Sequence, residues 1–173
     1  SSVSIDPNDG GYTTFCLDDA CRALDPPGVK LITKTWVDRA SKDKKEYTYQ
    51  MPASITDRMV YFWNGIAEKV TAKYPRALLT VRAYSAYVDP PTVRKLHPNI
   101  AVEQVSGDYF DPARNQESLD NWVQWSKHTK YLAWRPNIDT GSRRHGLPVI
   151  YVHRMARDIK SRVAAGMIST DVD

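Results

Sequence analysis

The sequence of 173 residues predicts a mixed α/β fold on a mostly parallel sheet, part of a (β/α)8 barrel of the TIM type with about five parallel strands and crossover helices. Two observations predict it. Short apolar runs alternate with segments of helical periodicity, and such alternation implies parallel strands joined by helical crossovers. The runs end in clusters of Asp, Asn, Gly and Pro, so polar groups collect at strand carboxyl ends, where α/β proteins place ligands. An eight-stranded barrel typically takes about 250 residues. Residues 1–173 therefore read as a single domain, the C-terminal portion of such a barrel, with residues 26–53 as an inserted loop or hairpin. The first and last strands would otherwise be bare edges. An open five-stranded sheet is the competing architecture.

The first strand is Val3-Ser4-Ile5, halted by Pro7, which cannot donate to a central ladder. It delivers Asp6, Asn8 and Asp9 to its carboxyl end, and Gly10 and Gly11 permit positive φ. Asn-Asp-Gly is also ordinary turn chemistry. Residues 12–54 carry little periodicity, although 31–36 and 46–50 read as partner strands across the charged segment 39–45. The clearest helix covers 58–74, with Met59, Phe62, Trp63, Ile66, Val70 and Tyr74 at three- and four-residue steps. Ser54 or Thr56 can cap it, and Pro75 follows its end. Segments 77–84 and 100–105 read as buried strands, joined by a crossover without an obvious helix. A helix over 115–128 uses Leu119, Trp122, Val123 and Ser126, and a short strand follows at 131–134. After a loop with Arg143, Arg144 and His145, a helix over 151–165 uses Val152, Met155, Ala156, Ile159 and Val163. Gly166 is its natural C′ residue, and a last strand starts at Met167.

Composition narrows the function classes. Hydrophobic residues make up 42% and charged residues 25%, the balance of an ordinary globular domain. No apolar run reaches the roughly 18 residues a membrane span needs. The net charge of +4 is scattered, with small clusters at Lys42, Lys44 and Lys45 and at Arg143 and Arg144. A nucleic-acid surface would want a longer stripe, so no nucleic-acid partner is expected. Cys16 and Cys21, with four residues between them, allow a disulfide of an exported protein, half a zinc site, or two free buried thiols. Zinc normally takes four ligands, and no second Cys pair or close His follows. His97, His128, His145 and His153 do not cluster, and glycine-rich phosphate loops are missing, so no metal and no cofactor are expected.

An ordered set of motifs runs through most of the chain outside residues 26–53. It comprises Asp6-Pro7-Asn8-Asp9-Gly10, Cys16 and Cys21, Phe62-Trp63-Asn64-Gly65-Ile66-Ala67, Tyr74-Pro75, Ala83-Tyr84, Pro90-Pro91, Pro98-Asn99 and Trp125-Ser126. In this order the set resembles a large bacterial family of domains of unknown function, whose members look like relatives of the α-glucuronidases and β-N-acetylhexosaminidases. The resemblance implies a glycosidase-like barrel with its site at the strand ends, a carbohydrate substrate, and a secreted or periplasmic protein acting on polysaccharide. The remainder of a larger polypeptide would be its partner.

Glycoside hydrolysis needs an acid for the leaving oxygen and a base or nucleophile; in substrate-assisted forms the sugar's acetamido group attacks while a carboxylate orients it. Asp9 is the candidate acid, given a pKa raised by burial, and Asn8 would bind a sugar hydroxyl or hold Asp9. Other strand ends offer Tyr84 to stack or hydrogen-bond, Glu103 and Asp108 as carboxylates, and Trp134 as an apolar face for a pyranose. Arg135 offers a fork for a uronate, and Asp171 stands at the last strand. Each has a plainer reading: Trp134 as packing, Arg135 in a salt bridge, Asp108 as a turn residue. The expected function is a carbohydrate-active, glycoside hydrolase-like protein; a non-catalytic carbohydrate-binding or structural domain is the alternative.

Overall fold

The computed structural model describes residues 2–6, 15–38, 40, 42–105, 112–136 and 152–171. In chain order its elements are β1 (Ser2–Ser4), α1 (Asp19–Arg22), β2 (Leu31–Val37), β3 (Glu46–Pro52), α2 (Thr56–Lys73), β4 (Leu78–Ala83), β5 (Ile100–Val105), α3 (Pro112–Trp125), β6 (Leu132–Arg135), α4 (Val152–Ala164) and β7 (Met167–Thr170). Among the described residues, five strands form one wholly parallel sheet in the order β1-β4-β5-β6-β7. Once β2 and β3 are set aside, spatial order follows chain order. A doubly wound sheet would reverse that order at a switch point, and none occurs among the described strands.

Period-two alternation gives the sheet two unlike faces. In β4, Leu79, Val81 and Ala83 are buried, while Leu78, Thr80 and Arg82 are half-buried. Register carries the buried set across the sheet, with Leu79 beside Ile100, Val81 beside Val102, and Val102 beside Leu132. These residues and Trp134 share one apolar cluster with Met59, Val60, Trp63 and Ala67 of α2 and with Trp122 and Trp125 of α3. The sheet's other face carries Thr80, Arg82, Ala101, Glu103 and Ala133, level with one another by the same register.

β2 and β3 form a separate antiparallel hairpin, paired from Leu31 with Pro52 to Val37 with Glu46. Its root is apolar: Ile32, Tyr49 and Met51 join the main core. Its far end carries Trp36 and Tyr47, opposite each other and with ring centres 5.5 Å apart, a cross-strand pair of the kind that stabilises hairpins.

Two helices turn inward a face that only partly matches the one their apolar residues suggest: Trp122 of α3 is buried and Ile159 of α4 packs against the core as expected. The helix expected over 115–128 starts three residues earlier, and it buries Trp122 and Trp125 while Val123 stays exposed. Two indoles bury far more area than a valine, so they set the rotation. In α4, Asp158 and Arg162 are fully buried, whereas Val152 and Val163 are exposed. The Arg162 guanidinium lies 4.0 Å from the Trp134 ring centre and 5.5 Å from that of Trp122. Asp158 accepts from Asn115 of α3 at 3.3 Å and from Arg157 at 3.1 Å. Buried charges must keep their partners, so these contacts outweigh the burial of two valines. Gly166 has φ +87° and ends α4 as a C′ glycine.

The connection after β4 has a short 3-10 turn, Ser85–Tyr87, and is held by α2 and by α3, whose Asn121 and Trp125 donate to the Val88 carbonyl at 3.0 and 2.8 Å. Neither Ser54 nor Thr56 caps α2, because Ile55 occupies the cap position. The Thr56 hydroxyl instead donates to the Asp89 carbonyl at 2.6 Å. Asp57 accepts four hydrogen bonds from the same connection: Thr92 N at 2.8 Å, Thr92 Oγ1 at 2.9 Å, Val93 N at 3.1 Å and Arg94 N at 2.7 Å. Burial opposes ionisation of Asp57, but these donors outweigh it and hold its pKa below the ordinary 3.8.

Asp57→Ala should therefore destabilise the protein by about 3 kcal/mol at pH 7, since it strands buried N–H donors. A depressed folded pKa contributes stability that is present above the unfolded value of 3.8 and lost as pH falls through the folded value. Urea denaturation should accordingly give a smaller difference between Asp57→Ala and native protein at pH 3 or lower than at pH 7.

Candidate functional site

A parallel sheet brings every strand's carboxyl end to one edge. On the face turned away from the helices, each of the five strands sets a charged side chain near that edge. The Ile5 amide donates to the Thr80 carbonyl at 3.0 Å, which brings Asp6 level with Arg82. The Asp6 carboxylate accepts from the Arg82 amide at 2.7 Å and lies 3.6 Å from its guanidinium. Arg82 is paired with Glu103 in the ladder, and its Nε donates to the Glu103 carboxylate at 2.9 Å. Arg135 stands beside Val105, two residues beyond Glu103 and on the same face, and pairs with Asp171 at 2.8 Å. At ~3.3 Å per residue, this second pair sits roughly 7 Å nearer the strand ends.

From β1 to β7 the signs alternate: Asp6, Arg82, Glu103, Arg135, Asp171. The Arg82 side chain is 43% exposed and that of Glu103 13%, so the row is wet above and partly covered below. The hydrogen bond to Glu103 raises the Arg82 pKa above its ordinary value, burial opposes this, and Asp6 and Asp171 add to the rise.

Asp6 stands just past the end of β1, where the sequence delivers it, but without a role expected of it, and Arg82 is not among the expected residues. The signal for Arg82 is local and faint: it is one polar position near the end of an alternating strand. Glu103, Arg135 and Asp171 stand in the row as their strand positions suggested. Trp134 does not. It is fully buried on the opposite, helix-facing side, beside Gln104, with the Arg162 guanidinium over its ring. Packing accounts for it, and its face is closed to a sugar. Asn8, Asp9 and Asp108 lie outside the described residues, as does the loop with Arg143, Arg144 and His145.

Tyr84, just past β4, lines a cavity of about 640 Å³ between the ends of β4 and β5 and helix α3. Asp89 and Gln104 share its wall. The surrounding atoms raise the Asp89 pKa above the ordinary 3.8 through desolvation, although the residue keeps contact with solvent. Asp89 reads in sequence as part of a chain break, and only the folded crossover gives it this setting.

Cys16 is exposed and Cys21 half-buried, and the two are not bonded to each other. They are therefore not the buried thiols that sequence allowed. Hydrogen bonding to Cys16, then to Asp18, pushes the Cys21 thiol up to about 11, so it is protonated at neutral pH. Asp18 is lowered by the Cys21 amide first and by the two thiols next.

Among the described residues no helix is long and apolar enough to cross a membrane. The chain belongs to the family described as a domain of unknown function, DUF4838, whose model matches residues 1–173. No curated protein and no solved structure matches it.

Arg82→Met should cost about 1 kcal/mol at pH 7, the range of a solvent-screened pair, because Asp6 and Glu103 then face each other without their bridge. Thermal unfolding of the native and Arg82→Met proteins side by side at pH 7 measures that cost, and raising the salt concentration should shrink it.

Proposed function

We propose that this member of the family is a carbohydrate-active segment of a (β/α)8 barrel, with glycoside hydrolysis at the carboxyl ends of its strands as its reaction. The observation that carries this reading is the row of five charged side chains, one from each parallel strand, on the face away from the helices. Sequential strand order supports the barrel. Right-handed crossovers that always step the same way place their helices on one face, leaving the other to be closed by the sheet itself. Closure takes further strands beside β1 and β7, which sets the domain within a larger polypeptide. A polysaccharide substrate would place it outside the cytoplasm.

The chemistry suits the reaction. Three carboxylates against two guanidiniums leave the row one net negative charge, which favours the positive charge that develops on the sugar in an oxocarbenium-like transition state. Asp9 is three residues after Asp6 in the sequence; we assign it the acid and Asn8 a sugar hydroxyl. Glu103 is the carboxylate oriented by Arg82. Tyr84 supplies a hydrogen bond at the rim, Arg135 with Asp171 a second polar step, and we assign Asp108 a further contact to the sugar.

One observation favours a non-catalytic sugar-binding role instead. Asp6, Arg82 and Glu103 satisfy one another, as do Arg135 and Asp171, so the row can serve as a rigid floor for hydroxyl groups.

Screening the protein on a glycan array, then measuring release of reducing ends from the glycans bound, separates the readings. For the enzyme, Asp9→Asn should leave binding within about threefold and reduce hydrolysis by about 100-fold or more. Binding with no hydrolysis by the native protein supports the floor. No glycan bound removes both.

A further inference from the structure

We propose that Cys16, Asp18 and Cys21 form a binding site for a single zinc-type divalent metal ion. Each residue offers one ligand atom, and the three atoms lie within 4.8 Å of one another. Tetrahedral zinc with ~2.3 Å bonds to sulfur sets its thiolates roughly 3.8 Å apart, so small side-chain rotations close the set. Two thiolates and a carboxylate form a soft-to-borderline donor set that suits zinc over magnesium or calcium. Sequence shows the cysteine pair, and the N-cap geometry of α1 adds Asp18 as its third member.

The backbone around the trio is held in place by groups outside it. Arg58 of α2 donates to the Cys16 carbonyl at 2.7 Å. The same guanidinium makes two hydrogen bonds to Asp25, at 3.0 and 2.6 Å, and both side chains are buried. Arg22 donates to the Leu17 carbonyl at 2.7 Å. At the N-cap of α1, Asp18 takes the Cys21 amide on Oδ1 at 2.8 Å, which aims the carboxylate while leaving Oδ2 for a metal. Metal binding would release the two thiol protons to solution. Three protein ligands leave a fourth position for water or an external donor. The site lies in the connection between β1 and α2 and does not depend on the carbohydrate reading.

The test is a Co²⁺ titration of the protein kept reduced by a phosphine, followed by displacement with Zn²⁺. We expect one Co²⁺ per chain, a near-ultraviolet thiolate-to-cobalt charge-transfer band, visible bands of tetrahedral cobalt, and loss of all of these on adding one equivalent of Zn²⁺. Cys16→Ser and Cys21→Ser should each weaken binding by about 100-fold or more, while Asp18→Asn, which keeps the cap acceptor, should retain the band and weaken binding about tenfold. Far-ultraviolet circular dichroism identifies the folded variants to be compared. The proposal is overturned by reduced, folded protein that gives no charge-transfer band, or by an unchanged band in Cys21→Ser. A native disulfide that takes up no metal once reduced also overturns it.

Discussion

Three consecutive buried residues at the start of α2 hold the carboxyl-end side of the sheet together. Thr56 donates to the Asp89 carbonyl, Asp57 gathers residues 92–94, and Arg58 clamps Asp25 and the Cys16 carbonyl. A crossover helix begins at the edge where strands end, so this first turn stands among the connections it must fix. Asp57 also lies where the helix dipole favours an anion. Each tie satisfies polar groups that would otherwise be buried without partners, and breaking one is costly for that reason more than for any attraction gained. Connections with little regular structure of their own are thereby ordered against a rigid element.

The charged row depends on the same order. Arg82 and Glu103 meet because β4 and β5 pair in a register that sets them side by side; a shift of one residue would send Arg82 into the helix-facing core. On the same face Ala101 lies two residues before Glu103 and Ala133 stands beside Glu103, and these small residues leave room for the long side chains of the row. On the far side, Arg162 between Trp122 and Trp134 and Asp158 beside Asn115 fix how α3 and α4 seat on the sheet. Polar contacts thus set geometry on both faces, while apolar area supplies most of the cohesion.

Legibility varied with the distance over which each signal acts. The α2 helix, the strands at 78–83 and 100–105 and the hairpin over 31–52 follow from periodicity and breakers within about a dozen residues. The inward faces of α3 and α4 followed only in part, because hydrophobicity marks Val123, Val152 and Val163 as core and Arg162 as surface, and only the neighbouring indoles reverse that. Trp134 was misplaced for a related reason: a tryptophan near a strand end suits either face, and register with Gln104 turns it to the helices.

Residue order by itself determined the alternation of strands and helices, the parallel sheet, and the gathering of acids and arginines at strand ends, since these rest on local patterns and on the short reach of a crossover. Tertiary structure alone decided which of those groups meet. Pairing of Asp6 with Arg82 spans 76 positions and that of Arg135 with Asp171 spans 36. Contacts at such separations are set by register and helix seating, which no local window of residues contains.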